Sequence, residues 1–129
     1  MAKTTETGDS QKDWVAHPLS FVWWWCVPIA IGVSSDVLGL PTRTAALVWA
    51  VSFVWMAAGC LLNARRSRRL HCYISGPVFL LGAIVVVFVA AGFTVFGPHA
   101  LNNVVSVTFV LVILSFVPEY FGNRYTPSR

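Results

Sequence analysis

The sequence predicts an all-α fold, a four-helix transmembrane bundle with its N-terminus and C-terminus cytoplasmic. Two observations carry that prediction. Of the 129 residues, 57% are hydrophobic and 11% charged, and the mean hydropathy is +0.70. A soluble domain carries roughly a quarter charged residues, so this chain lacks the polar surface to cover itself in water. The second observation is where the charges stand. Between Trp14 and Thr42 the only charge is Asp36; there is none between Thr44 and Ala64, and none between Leu70 and Pro118. Intervals of that kind do not form amphipathic helices around a soluble core.

A spanning helix needs about 20 mostly apolar residues, at about 1.5 Å rise each across a core of about 30 Å. Four segments qualify. The first is expected over about 18–34, with Pro18 in the first turn. The second covers about 44–62, introduced by Pro41-Thr42. The third is expected to start at Pro77, with Ser75 or Gly76 as N-cap, and to run over about 77–96 until Gly97-Pro98 stops it. The fourth covers about 101–120, from Asn102-Asn103 near its start to Pro118-Glu119 near its end. The β-branched run Ile84 to Val89 has strand propensity, but lipid offers backbone groups no alternative partner and enforces helix. A polar, mobile tail over 1–13 and a short cytoplasmic tail over 122–129 flank a single transmembrane domain over 14–121.

The orientation follows from the Lys and Arg residues near the membrane. Lys3 and Lys12 precede the first span, Arg65, Arg66, Arg68 and Arg69 separate the second from the third, and Arg124 and Arg129 follow the fourth. Four crossings put all of these on one side and leave only Arg43 opposite; three or five would split them. The end of the first span, Gly32-Val33-Ser34-Ser35, has the look of a signal-peptide cleavage site. Lys3 and Lys12 are, however, outnumbered by Glu6, Asp9 and Asp13, so the region lacks the positive charge of a leader.

The stretch from Asn63 to Phe79 is the chemically suggestive one: a basic run, then His71-Cys72-Tyr73, then Gly76-Pro77. It resembles a signature of small, uncharacterised multi-pass membrane proteins of prokaryotes. Those relatives tend to carry Cys-Gly where this chain has Ser67-Arg68, a departure that counts against any two-thiol site in this chain. The resemblance implies no established activity.

Arg65, Arg66, Arg68, Arg69 and Gly76 are expected to lie at the N-terminus of the third helix. Free backbone N–H groups and the helix dipole favour an anion there, a phosphate or lipid headgroup; the plainer reading is a topological signal. Cys26, Cys60 and Cys72 fall in the inner half of the membrane, with His71 at the cytoplasmic interface, and together they offer soft-metal ligands. No C-x-x-C or H-x-x-x-H spacing supports them, and Cys is also a small apolar filler. Paired cysteines on the oxidising side, as a thiol oxidoreductase wants, are absent, and His99 lies opposite His17 and His71, which disfavours a bis-histidine haem. Asp36 and Glu119 stand at span ends, against a proton-coupled transporter. Glu119 is expected to pair with an arginine of the middle loop, and Asp36 to face water.

Trp14 is read as an interfacial anchor. Trp23, Trp24 and Trp25 turn through about 200° of helix, so one must face lipid while another faces the bundle. Ala46, Ala50, Ala57, Gly59, Gly82, Ala83, Ala90 and Gly92 offer close helix contacts. The expectation is therefore a non-enzymatic, multi-pass protein of the cell (inner) membrane, an accessory subunit or small oligomeric solute passage. It would need no cofactor and no nucleic acid; its partners would be the bilayer, anionic lipids, and a second copy or another membrane protein. The alternative is a soft-metal transporter or sensor.

Overall fold

The computed structural model describes residues 13–122 and Tyr125. The tails expected over 1–12 and most of 122–129, with Arg124 and Arg129, lie outside the described residues. Four helices are long and apolar enough to cross a membrane, and among the described residues there is no strand beyond an isolated bridge between Arg69 and Tyr125. Helix α1 spans Pro18–Val37, α2 Thr42–Ser67 and α3 Leu70–Ala90. Helix α4 spans Ala100–Leu114 and is followed, after a break at Ser115–Phe116, by the short α5, Val117–Phe121. The fold is an all-helical membrane bundle, as the sequence predicts.

The antiparallel pair α2–α3 is the spine; α1 packs on α2, and α4 on α3. Trp49 and Phe53 of α2, Phe79 of α3 and Phe109 of α4 meet at its centre, with Phe53 centroids 5.5–5.9 Å from the other three. Phe53 meets Phe109 edge-to-face and the other two rings at a tilt, and the edge-to-face contact attracts beyond its apolar area. Glycines set the crossings. A Cβ on Gly32 would stand 2.8 Å from the Trp49 ring, one on Gly59 3.0 Å from Trp24, and one on Gly82 2.8 Å from Thr108 Oγ1. Outward the bundle is apolar: Leu81, Val107 and Ile113 are exposed, and only 17% of the apolar window of the last span is buried. Water would penalise that surface, and lipid does not.

Helix α2 runs on to Ser67 rather than ending near residue 62, and three further helix ends differ from expectation. Helix α3 begins at Leu70, not Pro77, and Pro77 sits inside it with Gly76. Its entry is capped by a carboxylate from far along the chain, described below, which no local signal reveals. The same helix stops at Ala90 rather than reaching residue 96. Gly92, at φ +90°, closes a Schellman motif in which Phe93 N–H donates to the Phe88 carbonyl (3.1 Å) and Gly92 N–H to Val89 (3.0 Å). Phe93 stacks edge-on against Phe88, the apolar contact that accompanies this motif. Gly92 is thus a turn residue and not a packing surface. Gly39, at φ +65°, ends α1 in the same way, with Leu40 N–H on Ser35 and Gly39 N–H on Asp36, which carries α1 to Val37.

Within α1, Val22–Cys26 forms a π turn in which Val27 N–H reaches back to the Val22 carbonyl. Pro28 follows, and it has no N–H for the carbonyl four residues earlier; widening the turn accommodates its ring. The tryptophans divide as the helix geometry requires: Trp25 is buried, Trp24 half-buried and Trp23 exposed.

Gly82→Val is expected to force α4 away from α3 and cost about 1–3 kcal/mol, read as the unfolding free energy in SDS-titrated bicelles. Ile84→Val, on the outward face, should change it by far less; equal effects would contradict the α3–α4 contact at Gly82.

Candidate functional site

The polar residues that remain inside this bundle gather at one end, where the start of α1, the α2–α3 corner and α5 meet. The corner is only Arg68–Arg69. Arg68 takes the left-handed conformation (φ 54°, ψ 30°) that ends α2, its N–H on the Ala64 carbonyl (2.9 Å). Arg69 is the N-cap of α3, in extended geometry. Its guanidinium turns inward and is shared by two carboxylates: Nη1 donates to Asp13 Oδ2, and Nε to Glu119 Oε2 at 3.3 Å. Tyr125 O–H also reaches Asp13 Oδ2 (3.4 Å). Burial alone would lower the Arg69 pKa, but the Asp13 hydrogen bond and the charges of Asp13 and Glu119 outweigh it. The guanidinium is held above its ordinary value and stays charged.

Both carboxylates do further work. Asp13 is fully buried, which corrects its assignment to a mobile tail over 1–13. Its Oδ1 accepts Val15 N–H (3.0 Å) and Asn63 Nδ2–H (2.8 Å), while Trp14 N–H donates to Asn63 Oδ1 (2.8 Å). Glu119 Oε1 accepts His71 N–H (2.9 Å), satisfying an orphan donor in the first turn of α3, and stands 2.8 Å from His71 Nδ1. The His71 ring also stacks on Phe116, at 4.0 Å between centroids. Glu119 therefore pairs with an arginine of the α2–α3 corner, as expected from the sequence. With Nδ1 donating to the carboxylate, His71 presents the lone pair of Nε2 to Cys72 Sγ at 3.4 Å. Asn63 Nδ2–H points to the same sulfur (3.4 Å).

Cys72 and Cys60 are buried on the facing sides of α3 and α2. Trp25 Nε1–H donates to Cys60 Sγ at 3.4 Å, and Ser75 O–H at 3.3 Å. Cys26 faces outward, away from this pair. The soft-ligand set thus separates: Cys60, Cys72 and His71 lie together and Cys26 does not join them. Among the described residues no three of His, Cys, Asp and Glu surround a common point.

The expected anion site also separates. Arg65 and Arg66 are exposed in the last turn of α2, Arg68 is half-buried, and Arg69 is committed to the two carboxylates. Gly76 lies a turn and a half into α3, where a Cβ would stand 2.8 Å from the Leu61 side chain. It cannot receive an anion, because it is packing and not a helix terminus. Arg66 lies over the Trp14 ring, 4.9 Å from its centroid, and Trp14 stacks on Trp24 at 5.2 Å. At the opposite end Asp36 is exposed, as expected, yet accepts Trp49 Nε1–H (3.0 Å). It borders an open cavity of about 490 Å³ with Thr42, His99 and Asn102.

Asp13, Asn63, Ser75 and Trp25 had no functional role in the sequence reading. The available signal was a carboxylate and an amide beside apolar spans, since lipid leaves such groups to find partners within the protein. No family model, curated protein or solved structure matches this chain.

Arg69→Met would leave two buried carboxylates without a cation and should destabilise by about 3–5 kcal/mol. Adding Asp13→Asn should recover part of that loss. A double-mutant cycle on Asp13 and Arg69 should show coupling above about 0.5 kcal/mol; additive effects would mean the two residues do not form a unit.

Proposed function

We propose that this chain is a non-enzymatic, four-pass protein of the cell membrane, both ends cytoplasmic, that acts as an accessory subunit held by anionic lipid headgroups. The observation that carries this reading is the division among the arginines. Arg69 is withdrawn into the bundle, whereas Arg65 and Arg66 are exposed on the last turn of α2, at the end where Trp14 also lies. A 26-residue helix is about 39 Å long at about 1.5 Å per residue. That exceeds a hydrocarbon core of about 30 Å, so this turn reaches the headgroup layer. Stacking on Trp14 supports the Arg66 guanidinium on an aromatic face suited to that layer.

Clustered arginines beside a span attract an anionic leaflet by about 1 kcal/mol each. Arg69 balances one of the two carboxylate charges of Asp13 and Glu119, and Arg65, Arg66 and Arg68 outnumber the one that remains, so among the described residues this corner is net positive. The lysines and arginines of the sequence support the cytoplasmic assignment for the same end.

In nanodiscs containing a spin-labelled anionic lipid, the wild-type chain should retain that lipid in preference to a zwitterionic one. Arg65→Gln with Arg66→Gln should weaken the preference by up to roughly thirtyfold, about 1 kcal/mol per arginine, and salt should weaken it too. An unchanged preference would end the headgroup reading. A C-terminal fusion to green fluorescent protein should fluoresce and one to alkaline phosphatase should be inactive; the reverse pattern would place the basic end outside.

A further inference from the structure

We infer that Cys60 and Cys72 form a buried, two-coordinate site for a soft d10 metal cation, held between α2 and α3. This goes beyond the lipid-anchoring reading and does not depend on it. The two thiols face one another across the helix pair: Ser75, three residues after Cys72, donates to Cys60 Sγ, and Asn63, three residues after Cys60, donates to Cys72 Sγ, with Cys60 1% and Cys72 0% exposed. Three donors in all aim at them: Trp25 Nε1–H and Ser75 O–H at Cys60 Sγ, and Asn63 Nδ2–H at Cys72 Sγ. A neutral thiol is a weak acceptor. Placing an indole N–H, a hydroxyl and an amide on two sulfurs is poor use of buried donors if the cysteines only fill space. The same donors become strong once the sulfurs carry the negative charge of thiolates.

The ligand set and the space around it select the ion. Among the described residues no third His, Cys, Asp or Glu completes a cage, so a tetrahedral zinc site is not formed. Two thiolates suffice for ions that accept two ligands in line, and soft sulfur ligands select copper(I) and its kin. The sulfurs are covered on all sides, so neither a carbonyl substrate nor a protein redox partner reaches them, whereas a bare ion replaces two protons. Binding breaks two S–H bonds and forms two metal–sulfur bonds; two protons leave and no electron moves. His71, held through Nδ1 by Glu119, keeps its Nε2 3.4 Å from Cys72 Sγ and so fixes the position of that thiol. A monovalent ion leaves one negative charge on the pair, which the three donors stabilise; a divalent ion such as mercury(II) leaves none.

The test uses the full-length Cys26→Ser protein in nanodiscs, which removes the outward thiol. Copper(I) is delivered anaerobically against a chromogenic chelator, and mercury(II) in a separate titration. At least one of the two ions should bind at one equivalent per chain, and that equivalent should be lost when either Cys60→Ser or Cys72→Ser is added. The arm that binds identifies the monovalent or the divalent ion. X-ray absorption on the loaded Cys26→Ser protein needs no change to the site and should show two sulfur neighbours. No stoichiometric uptake of either ion, uptake that survives loss of Cys60 or Cys72, or a single sulfur neighbour would each overturn the inference. So would a covalent adduct on Cys72 in the intact mass, which would make that thiol a nucleophile.

Discussion

A single guanidinium at a two-residue corner is shared by carboxylates from the two ends of the chain, and the polar interior is organised around it. Asp13 and Glu119 stand side by side at the end of the bundle only because Arg69 lies between them. Two buried carboxylates without that cation would repel and lose hydration with no compensation. Their remaining lone pairs then orient everything nearer the core. Glu119 caps α3 through His71 N–H and holds the imidazole, while Asp13 fixes the Asn63 amide. Among the described residues every buried side-chain nitrogen and oxygen has a partner. In a low-dielectric interior that complete pairing is what makes such a network tolerable.

The apolar part of the bundle obeys a different constraint. Lipid is as apolar as the side chains, so helices gain nothing by hiding leucine and associate through close packing. Glycine opposite a large ring achieves it, as with Gly32 against Trp49 and Gly59 against Trp24. The four aromatic rings at the centre give α2, α3 and α4 a common contact. Helix α4 meets the spine along one narrow face and leaves its valines and leucines outward. Between α2 and α3, Gly82 against the Phe53 ring and Gly76 against Leu61 let the backbones approach closely enough for Asn63 and Ser75 to reach sulfurs on the facing helix at 3.3–3.4 Å.

How much of this was legible depends on whether the deciding interaction is local. Span number follows from charge-free stretches, and the Glu119–arginine pair from the placing of both groups at the same end of the spans. The aromatic triplet divides as a helical rotation requires. The α3 start was not legible, because its capping group is Glu119, 48 residues away, whereas Gly76-Pro77 carries an apparent start signal nearby. The α3 end was legible in kind but misplaced: Gly92 and Gly97 both permit positive φ, and only the Phe88–Phe93 contact distinguishes the earlier stop. Asp13 reads as one more charge of a polar tail until the fold places Arg69 and Asn63 over it. The cysteines share no motif spacing because they face each other from two helices, and sequence separation says little about distance across a hairpin.

An ionic clasp is not the cheapest way to close the end of a helix bundle. Well-packed apolar residues of the same volume often hold such an end as firmly, or more so. What they cannot do is direct a lone pair. The chain Arg69–Glu119–His71 ends with Nε2 facing one sulfur, and the chain Arg69–Asp13–Asn63 ends with an amide N–H facing the same sulfur. Both lines of hydrogen bonds begin at the corner arginine and converge on Cys72. An apolar closure would leave Asn63 and His71 free to take other rotamers or tautomers, and the sulfur would lose its fixed neighbours. The orientation of those two groups, rather than stability at the end of the bundle, is the property that the buried charges secure.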